Sequence, residues 1–564
     1  MSAHYYLRQV LTSTLATTIL ATSIAPTTLY AQNALGMKTQ TASVLQPGLA
    51  QVYAQNNDYA FWYGNRSNEM RLQQLIQFLP LIEAHGLKVN DYQFQMLLSL
   101  KDTQPEVFEI EMTTEVLRLL KDVSVGRVNP RSVSNDVKFS QRVFQVDGRV
   151  AEFFRNPSLE SFNLVAPQHS IYKDLQNILA ILNDVNRRGG FQGVRPIQNT
   201  VRVGDSHPSI SEMKNILNLF GHNLDNSPVF DQAFLQALQE VQVSNLTAPT
   251  NSLKPNDSDL WEYFSVSSSR RAQQVELMLE KLRWLPENLG QRYLFVNLAN
   301  QELTIFDKNL EETSPIKAQK AINGRIDRKT PTMADQISHV ILNPTWTVPP
   351  GIFAKDKFPK LQSLFRSGGP AAIQSYLASQ NFNLVDKVSN QPLDPFTLDW
   401  ASMTASTAPY KLVQSSGDDN ALGVVKFRLA HNKDNIYLHD TNERGLFGLF
   451  KRMRSSGCIR VQHPVELAAY LLQGSQWSLD KIEQEVSLAY TGKGKEKWVI
   501  PSAEMKLPVY IMPVTAYVKN GRAQFTQDLY KQNLALLNAL KKAGYYQPQS
   551  SNSFSSQSPE ATFN

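Results

Sequence analysis

The spacing of apolar residues changes once along this chain of 564 residues, and that change constrains the fold more than any other feature. From about residue 50 to Trp284, apolar residues recur every three or four positions, as they do on one face of a helix. From Tyr293 onward they alternate, and Leu303 and Ile305 are typical of a strand. A chain of this length exceeds a single hydrophobic core. We therefore predict a multidomain α+β protein with a helical amino-terminal part and a mainly β carboxy-terminal domain.

The helical part is predicted to contain a scaffold and a smaller module. We assign residues 32–200 to the scaffold and 201–265 to a compact helical module, which starts with a capping box at Ser209–Glu212. A connecting helix of the scaffold is predicted over 266–290, and the β domain over 291–546. Within the β domain, strand texture recurs at 339–348, 424–429, 435–439 and 509–518, and Asn520-Gly521 predicts a type I′ hairpin. A helix is predicted over 371–377.

Both ends of the chain have the composition of segments outside a folded core. Residues 1–31 read as a secretory signal peptide, because Arg8 precedes an apolar stretch and Ala31 suits a cleavage site. No later stretch is apolar enough to predict a stable membrane span after cleavage. Residues 547–564 are rich in Ser and Gln, which predicts a disordered tail.

The charge of the chain limits its partners. Fifty-six Lys and Arg against 50 Asp and Glu give a formal net charge of +6, which suits an anionic partner. The sequence has no zinc-finger spacing and no basic helix, so we predict no nucleic-acid binding. The histidines do not pair with acids at ligand spacing, so we predict no metal and no cofactor.

Cys458 is the only cysteine in the sequence. In an exported chain it cannot form an internal disulfide, so it is either a small buried residue or a nucleophile. Gly457 before it lets the backbone approach a reacting atom closely. Nearby cations are expected to favour the thiolate; they are Lys451, Arg452, Arg454 and Arg460.

His439 is the nearest candidate base for this thiol. It ends a strand-like run in which period-two alternation places it on the same face as Tyr437. The loop that follows is long enough to return Cys458 to the imidazole, and such a pair supports acyl transfer. An incidental free cysteine with an ordinary surface histidine is the alternative.

These motifs resemble a known family. The run Leu438-His439-Asp440-Thr441, a loop, and then Ser455-Ser456-Gly457-Cys458-Ile459-Arg460-Val461 is similar to the signature of YkuD-type L,D-transpeptidase catalytic domains, most closely the large periplasmic murein enzymes. Residues 343–350 and 420–423 resemble core segments of the same family. The module at 201–265 resembles a peptidoglycan-binding-like domain, with a mere spacer as the alternative.

The resemblance implies a reaction and roles for individual residues. Cys458 would attack the carbonyl before the terminal D-alanine of a donor tetrapeptide stem, with His439 as the base, and an acceptor amine on a second stem would then complete a 3→3 cross-link. His439 would be oriented by the side chain of Asp440 or by a backbone carbonyl. The backbone N–H groups near Gly457 and Cys458 would form the oxyanion hole. The residues that would bind substrate are Tyr437, Ser456 and Arg460. Arg460 stabilising the loop is an equal alternative.

Further implications of the resemblance concern location, partners and rival functions. It implies a periplasmic enzyme that reacts with carbapenems, with other cell-wall synthases as further candidate partners. It also implies that the insertion at 353–412 caps the active-site cleft; a passive surface excursion is the alternative. Lipoprotein attachment and D-amino-acid exchange use the same acyl-enzyme, and a noncatalytic peptidoglycan-binding or scaffolding protein is the rival from another class. A papain-like protease is disfavoured because His439 precedes the cysteine.

Overall fold

The structure is a computed structural model that describes residues 47–57, 59–431 and 435–546. The predicted signal peptide at 1–31 and tail at 547–564 lie outside the described residues. Contacts between Cα atoms divide the chain into two compact units. The described part of the first unit comprises residues 47–83, 88–122 and 144–166, and that of the second comprises 84–87, 123–143 and 167–546.

The first unit is helical, as the sequence predicts. Its helices are α1 (Pro47–Gln55), α2 (Arg66–Phe78), α3 (Phe94–Leu98), α4 (Pro105–Val125, of which 105–122 lie in this unit), α5 (Gly148–Arg155) and α6 (Leu159–Val165). In its core, Glu109 on α4 accepts hydrogen bonds from the backbone N–H groups of Phe61 (2.7 Å) and Trp62 (2.9 Å). Burial raises the pKa of Glu109 to about 7.

The second unit begins with helices as well. They are α7 (Ser170–Arg187), α8 (Pro208–Leu219), α9 (Gln232–Ser244), α10 (Ser258–Phe264) and α11 (Ser268–Leu282). Two short strands, β1 (Val201–Arg202) and β2 (Ser252–Leu253), pair with each other in antiparallel orientation. The predicted capping box at Ser209–Glu212 is wrong: Pro208 occupies the first turn of α8, and His207 caps the helix by accepting from the Ser209 N–H. None of the described helices has the length and apolarity to cross a membrane.

The remainder of the second unit is mainly β, which confirms the predicted change of class. Its strands are β3 (Tyr293–Asn297), β4 (Glu302–Phe306), β5 (Ala318–Gly324), β6 (Met333–Leu342), β7 (Trp346–Thr347), β8 (Phe382–Asp386), β9 (Tyr410–Gln414), β10 (Val425–Leu429), β11 (Leu438–His439), β12 (Met453–Ser455), β13 (Ile459–Val461), β14 (Lys497–Val499), β15 (Pro508–Met512), β16 (Ala516–Lys519) and β17 (Arg522–Phe525). The helices among them are α12 (Pro350–Ile352), α13 (Phe358–Ser379), α14 (Pro464–Leu471), α15 (Leu479–Ser487) and α16 (Gln532–Lys542).

One ten-stranded sheet positions the predicted site residues. Its order is β10-β11-β13-β5-β4-β3-β15-β6-β14, with β12 beside β5. Strand β6 pairs with β15 through its first residues and with β10 through its last, so the strand order returns to its starting point. Apolar side chains from these strands and from α14 form one core, which includes Phe427, Leu438, Ile459 and Leu467.

Two predicted strands are broken in the structure. The run His339–Val348 was expected to be continuous, but β6 ends at Leu342 because Asn343 adopts a positive φ of 49°. The run Val509–Val518 is divided into β15 and β16 around Pro513, which has no N–H to donate. The hairpin predicted at Asn520-Gly521 is confirmed: φ is 52° and 72° at these residues, and β16 pairs with β17.

The insertion at 353–412 is an ordered substructure with its own core. Helix α13 is much longer than the helix predicted at 371–377, and it is kinked at Gly368 and Gly369. Strands β8 and β9 form a three-stranded sheet with β7. Buried aromatic residues fill the space between the helix and this sheet; they include Phe353, Phe358, Phe382, Trp400 and Tyr410.

Candidate functional site

The register of three strands brings the predicted site residues to one face of the sheet. Lys426 on β10 pairs with His439 on β11, and His439 pairs with Arg460 on β13. The adjacent residues of these strands point into the core, so this row lies on the opposite face. Tyr437 and Cys458 come two residues before His439 and Arg460, which places them on the same face. The structure thus groups five side chains around one point.

The Cys458 thiol is half-buried and is surrounded by hydrogen-bonding groups. Its Sγ lies 3.5 Å from the backbone oxygen of Asn435, to which the S–H donates. The backbone N–H and the hydroxyl of Tyr437 act on the sulfur and lower the pKa of the thiol. Among the described residues no hydrogen bond joins this thiol to His439.

The electrostatics of Cys458 correct one expectation from the sequence. Burial raises the pKa of the thiol above its usual value, and this outweighs the hydrogen bonds from Tyr437 and the charges of Lys426 and Arg460. Two of the four expected cations are directed elsewhere. The Arg452 guanidinium is bound by backbone carbonyls, and Lys451 pairs with Asp259 at 3.4 Å. The thiol is therefore protonated at neutral pH.

His439 is buried, with only 4% of its surface exposed. Burial lowers its pKa to about 3, the Arg460 charge lowers it further, and the backbone carbonyl of Asp440 opposes the shift. Its Nδ1 is a buried atom without a hydrogen-bond partner among the described residues. At neutral pH the imidazole is uncharged and able to take a proton.

The side chain of Asp440 holds the backbone of the site and does not face the imidazole. Its Oδ2 accepts from the Val424 N–H at 2.9 Å and from Arg444 at 2.5 Å. A Cβ at Gly423, where φ is +58°, would lie 2.3 Å from the same oxygen, so only glycine allows this approach. Of the two orienting groups left open by the sequence, the carboxylate is occupied and the backbone carbonyl remains.

A network of hydrogen bonds shapes the loop before Cys458. The Ser455 hydroxyl accepts from the Gly457 N–H at 3.2 Å and donates to the Cys458 carbonyl at 2.6 Å. Thr330 donates to the Gly457 carbonyl at 2.8 Å, and Gly457 has φ of +122°. The Gly457 N–H is thus engaged, whereas the Cys458 N–H makes no hydrogen bond to a described residue. This leaves Cys458 as the available backbone donor for an oxyanion.

Ser456 connects the nucleophile loop to the insertion. Its hydroxyl accepts from Arg328 Nη1 at 3.1 Å, and Arg328 also forms a bidentate ion pair with Asp356. Tyr437 packs against the hydrophobic core of the insertion and hydrogen-bonds to Trp346. The predicted substrate-binding residues Ser456 and Tyr437 therefore lie where the insertion meets the sheet.

Several residues of this site were not identified from the sequence. Lys426 lies in a predicted strand, and alternation places it on the other face of that strand from the apolar Val425 and Phe427. Only the pairing of β10 with β11 shows that Lys426 neighbours His439. Arg328 and Arg444 carry no signal in the sequence that would relate them to Cys458. Among the described residues, no cluster of three or more His, Cys, Asp or Glu could hold a metal ion.

Comparisons with known proteins place this sheet in a family of domains. Residues 291–483 match the family model of the L,D-transpeptidase catalytic domain, and residues 47–179 match that of a scaffold domain. A curated protein of Haemophilus influenzae, "Putative L,D-transpeptidase", is 31% identical over 262 residues, which cover 46% of this chain and 48% of that protein. The chain thus spans about half the length of the curated relative it matches.

Two solved structures are also similar in part. One is an L,D-transpeptidase from Xylanimonas cellulosilytica, with 10% identity, coverage of 56% of this chain and 98% of that chain, and a TM-score of 0.17. The other is a fused Zn-dependent amidase/peptidase/peptidoglycan-binding domain-containing protein from Clostridium acetobutylicum, with 10% identity, coverage of 56% and 100%, and a TM-score of 0.14. Similarities at these TM-scores carry no argument about function.

Proposed function

The chain carries a catalytic domain of the L,D-transpeptidase family over residues 291–483, and from that premise we propose that it is a peptidoglycan L,D-transpeptidase that forms 3→3 cross-links. The donor is a tetrapeptide stem, and the acceptor is an amine on a second stem. The site of action is the periplasm, where the cell wall lies. The observation that supports this most is the grouping of Cys458, His439 and Tyr437 on one face of the sheet.

In the first half of the reaction the enzyme is acylated. The Cys458 sulfur attacks the carbonyl carbon before the terminal D-alanine, while its proton passes to the neutral His439. The new S–C bond leaves a tetrahedral oxyanion, which the N–H of Cys458 and the Tyr437 hydroxyl are proposed to bind. The C–N bond then breaks, and His439 returns the proton to the amine of the leaving D-alanine.

In the second half an amine replaces the thiol. The acceptor nitrogen attacks the thioester carbon and gives its proton to His439, the S–C bond breaks, and the thiolate recovers a proton from the imidazolium. Ser456 and Arg460 are proposed to bind the stem peptides beside this centre. The insertion at 353–412 is proposed to limit the access of water, which competes with the amine for the thioester.

The test compares Cys458→Ala with the wild type on purified disaccharide-tetrapeptides. We expect wild type to release D-alanine and to form cross-linked dimers, and Cys458→Ala to form neither while its thermal unfolding is unchanged. His439→Gln should slow turnover by about 100-fold or more.

Mass spectrometry of the products separates the rivals. Turnover by Cys458→Ala at the wild-type rate would reject the mechanism. Binding of peptidoglycan without release of D-alanine by the wild type would favour a noncatalytic wall-binding protein. Products that carry a lipoprotein lysine or a free D-amino acid, and no stem dimers, would identify another acceptor.

A further inference from the structure

Two cations flank His439, and only one of them has an anionic partner. Arg460, on one side, forms an ion pair with Glu443 at 2.7 Å. Lys426, on the other side, makes no hydrogen bond and no ion pair with any described residue. Its position is fixed by the pairing of β10 with β11, in which Lys426 lies directly opposite His439. The site therefore contains one uncompensated ammonium group.

The surroundings of Lys426 direct its charge towards the nucleophile. Its Nζ lies 4.2 Å from the centre of the Tyr437 ring, and Tyr437 lies on the same face of the sheet as Cys458. The charge of Lys426 also acts on the Cys458 thiol. An ammonium that is partly withdrawn from water and has no anion beside it is unfavourable, and an arriving carboxylate would relieve that cost.

No carboxylate in the part of the chain that the structure describes meets this requirement. Glu496 is the carboxylate whose charge acts on Lys426, but its oxygens are already engaged. One oxygen accepts from the N–H and hydroxyl of Thr345, at 2.6 and 2.8 Å, and the other accepts from the Trp498 indole at 2.7 Å. Lys426 is thus available for an anion that a substrate brings.

We propose that Lys426 binds the terminal carboxylate of the donor stem, which is the carboxylate of the amino acid that leaves. The proposal rests on the proposed function, since it names the part of the donor that this residue recognises. The carboxylate follows the attacked carbonyl by one residue, so the two carbons are at most about 3.6 Å apart. A cation beside Cys458 is therefore within reach of it.

This role explains how one bond of the stem is selected. An internal peptide bond is followed by an amide, which offers no charge to Lys426, whereas the last bond is followed by a carboxylate. A charged hydrogen bond contributes about 1.5 to 3 kcal/mol. The selectivity for the last bond that this interaction supplies is therefore roughly 10- to 100-fold.

The experiment compares two donors that differ at one group. Release of D-alanine from the disaccharide-tetrapeptide is measured against release of D-alaninamide from the same donor with an amidated carboxyl terminus. We expect wild type to prefer the free acid roughly 10- to 100-fold in kcat/KM. Lys426→Met should lose that preference because its kcat/KM falls for the free-acid donor and not for the amidated donor. Lys426→Arg should restore most of the preference.

A matched control lies on the same strand. Arg428 is two residues further along β10, is exposed, and stacks over Trp498 at 5.5 Å, so Arg428→Met removes a comparable cation away from Cys458. This variant should keep the wild-type preference for the acid. Loss of the same preference in Arg428→Met would assign the effect to general surface charge and reject the proposal.

The remaining outcomes also decide. An equal loss on both donors in Lys426→Met, without recovery in Lys426→Arg, would show that the residue serves the thiol or the fold, and would reject carboxylate binding. A wild type without preference between the donors would reject it as well. A wild type that turns over neither donor would overturn the proposed function itself, and the role of Lys426 with it.

Discussion

At the scale of the residue, Cys458 is a protonated thiol at neutral pH. Burial raises the pKa of Cys458, and burial lowers the pKa of His439 to about 3, so neither group is charged at neutral pH. A preformed thiolate–imidazolium pair would place two charges in a buried site. In the proposed mechanism, proton transfer is instead coupled to attack on the carbonyl, when the oxyanion takes up the negative charge.

Alkylation of Cys458 by iodoacetamide should report this raised pKa. Only the thiolate reacts, so the rate should rise about tenfold per pH unit and not level off below pH 9. Arg460→Gln removes a cation that lowers the pKa, and should move the profile to higher pH. Glu443→Gln removes the anion that pairs with Arg460, and should move it to lower pH. Shifts in the same direction for both variants would contradict this electrostatic account.

Carbapenems offer a second test of the same thiol. Attack of Cys458 on a strained lactam forms a thioester analogous to the proposed acyl-enzyme. Intact-protein mass spectrometry should show one carbapenem adduct on wild type and none on Cys458→Ser, with slower formation in His439→Gln. An adduct of equal yield on Cys458→Ser would place the reaction at another residue.

At the scale of the element, strand texture was predictable and strand register was not. Alternating apolar residues identified β10 and β11, and the side of the sheet on which His439 and Tyr437 lie. The neighbours of His439 depend on which residues of separate strands face each other, and that pairing is set by packing of the whole sheet. Lys426 was therefore missed. The thiol chemistry was misjudged for a similar reason, because sequence distance to cations does not measure burial.

One arginine links the insertion to the loop before Cys458. Arg328 pairs with Asp356 at the start of the insertion and donates to Ser456 beside Cys458. The core of the insertion also includes Trp346 and Val348, which precede it in the chain. The sequence predicts a helix there only over 371–377, because the Gly368-Gly369-Pro370 run conceals a helix that continues on both sides.

Arg328→Gln should loosen the insertion. Loss of a bidentate ion pair of about 1 to 2 kcal/mol should speed hydrogen exchange of amides in 353–379 roughly 5- to 30-fold, and Cys458 alkylation should become faster. Arg325→Gln is the matched control, since Arg325 pairs only with the exposed Asp327. Unchanged exchange in Arg328→Gln would show that packing alone holds the insertion closed.

At the scale of the whole molecule, a buried ionic group ties distant parts of the second unit together. Glu280 on α11 is fully buried and accepts from the backbone N–H and the Nε of Arg127, at 2.6 and 3.0 Å, and from Arg283 at 2.8 Å. Arg127 also lies beneath the rings of Tyr545 and Tyr546, near the end of the described chain. The helix before the catalytic sheet, the segment after α4 and the chain end therefore meet at one carboxylate.

Glu280→Gln should destabilise the protein by about 3 to 5 kcal/mol at pH 7, because two buried guanidinium groups lose their counter-charge. Burial would raise the pKa of Glu280, but Arg127 and Arg283 hold it below its usual 4.5. Because its pKa is lower in the folded state, Glu280 stabilises the protein above pH 4.5. This stabilisation is lost as the pH falls through the folded-state pKa. Wild type should therefore lose this stability in acid, and Glu280→Gln should not.

Urea unfolding across pH tests both statements, with the exposed Glu212→Gln on α8 as a control within about 0.5 kcal/mol of wild type. Equal stability of Glu280→Gln and wild type at pH 7 would mean that packing, and not this charge group, joins the three segments.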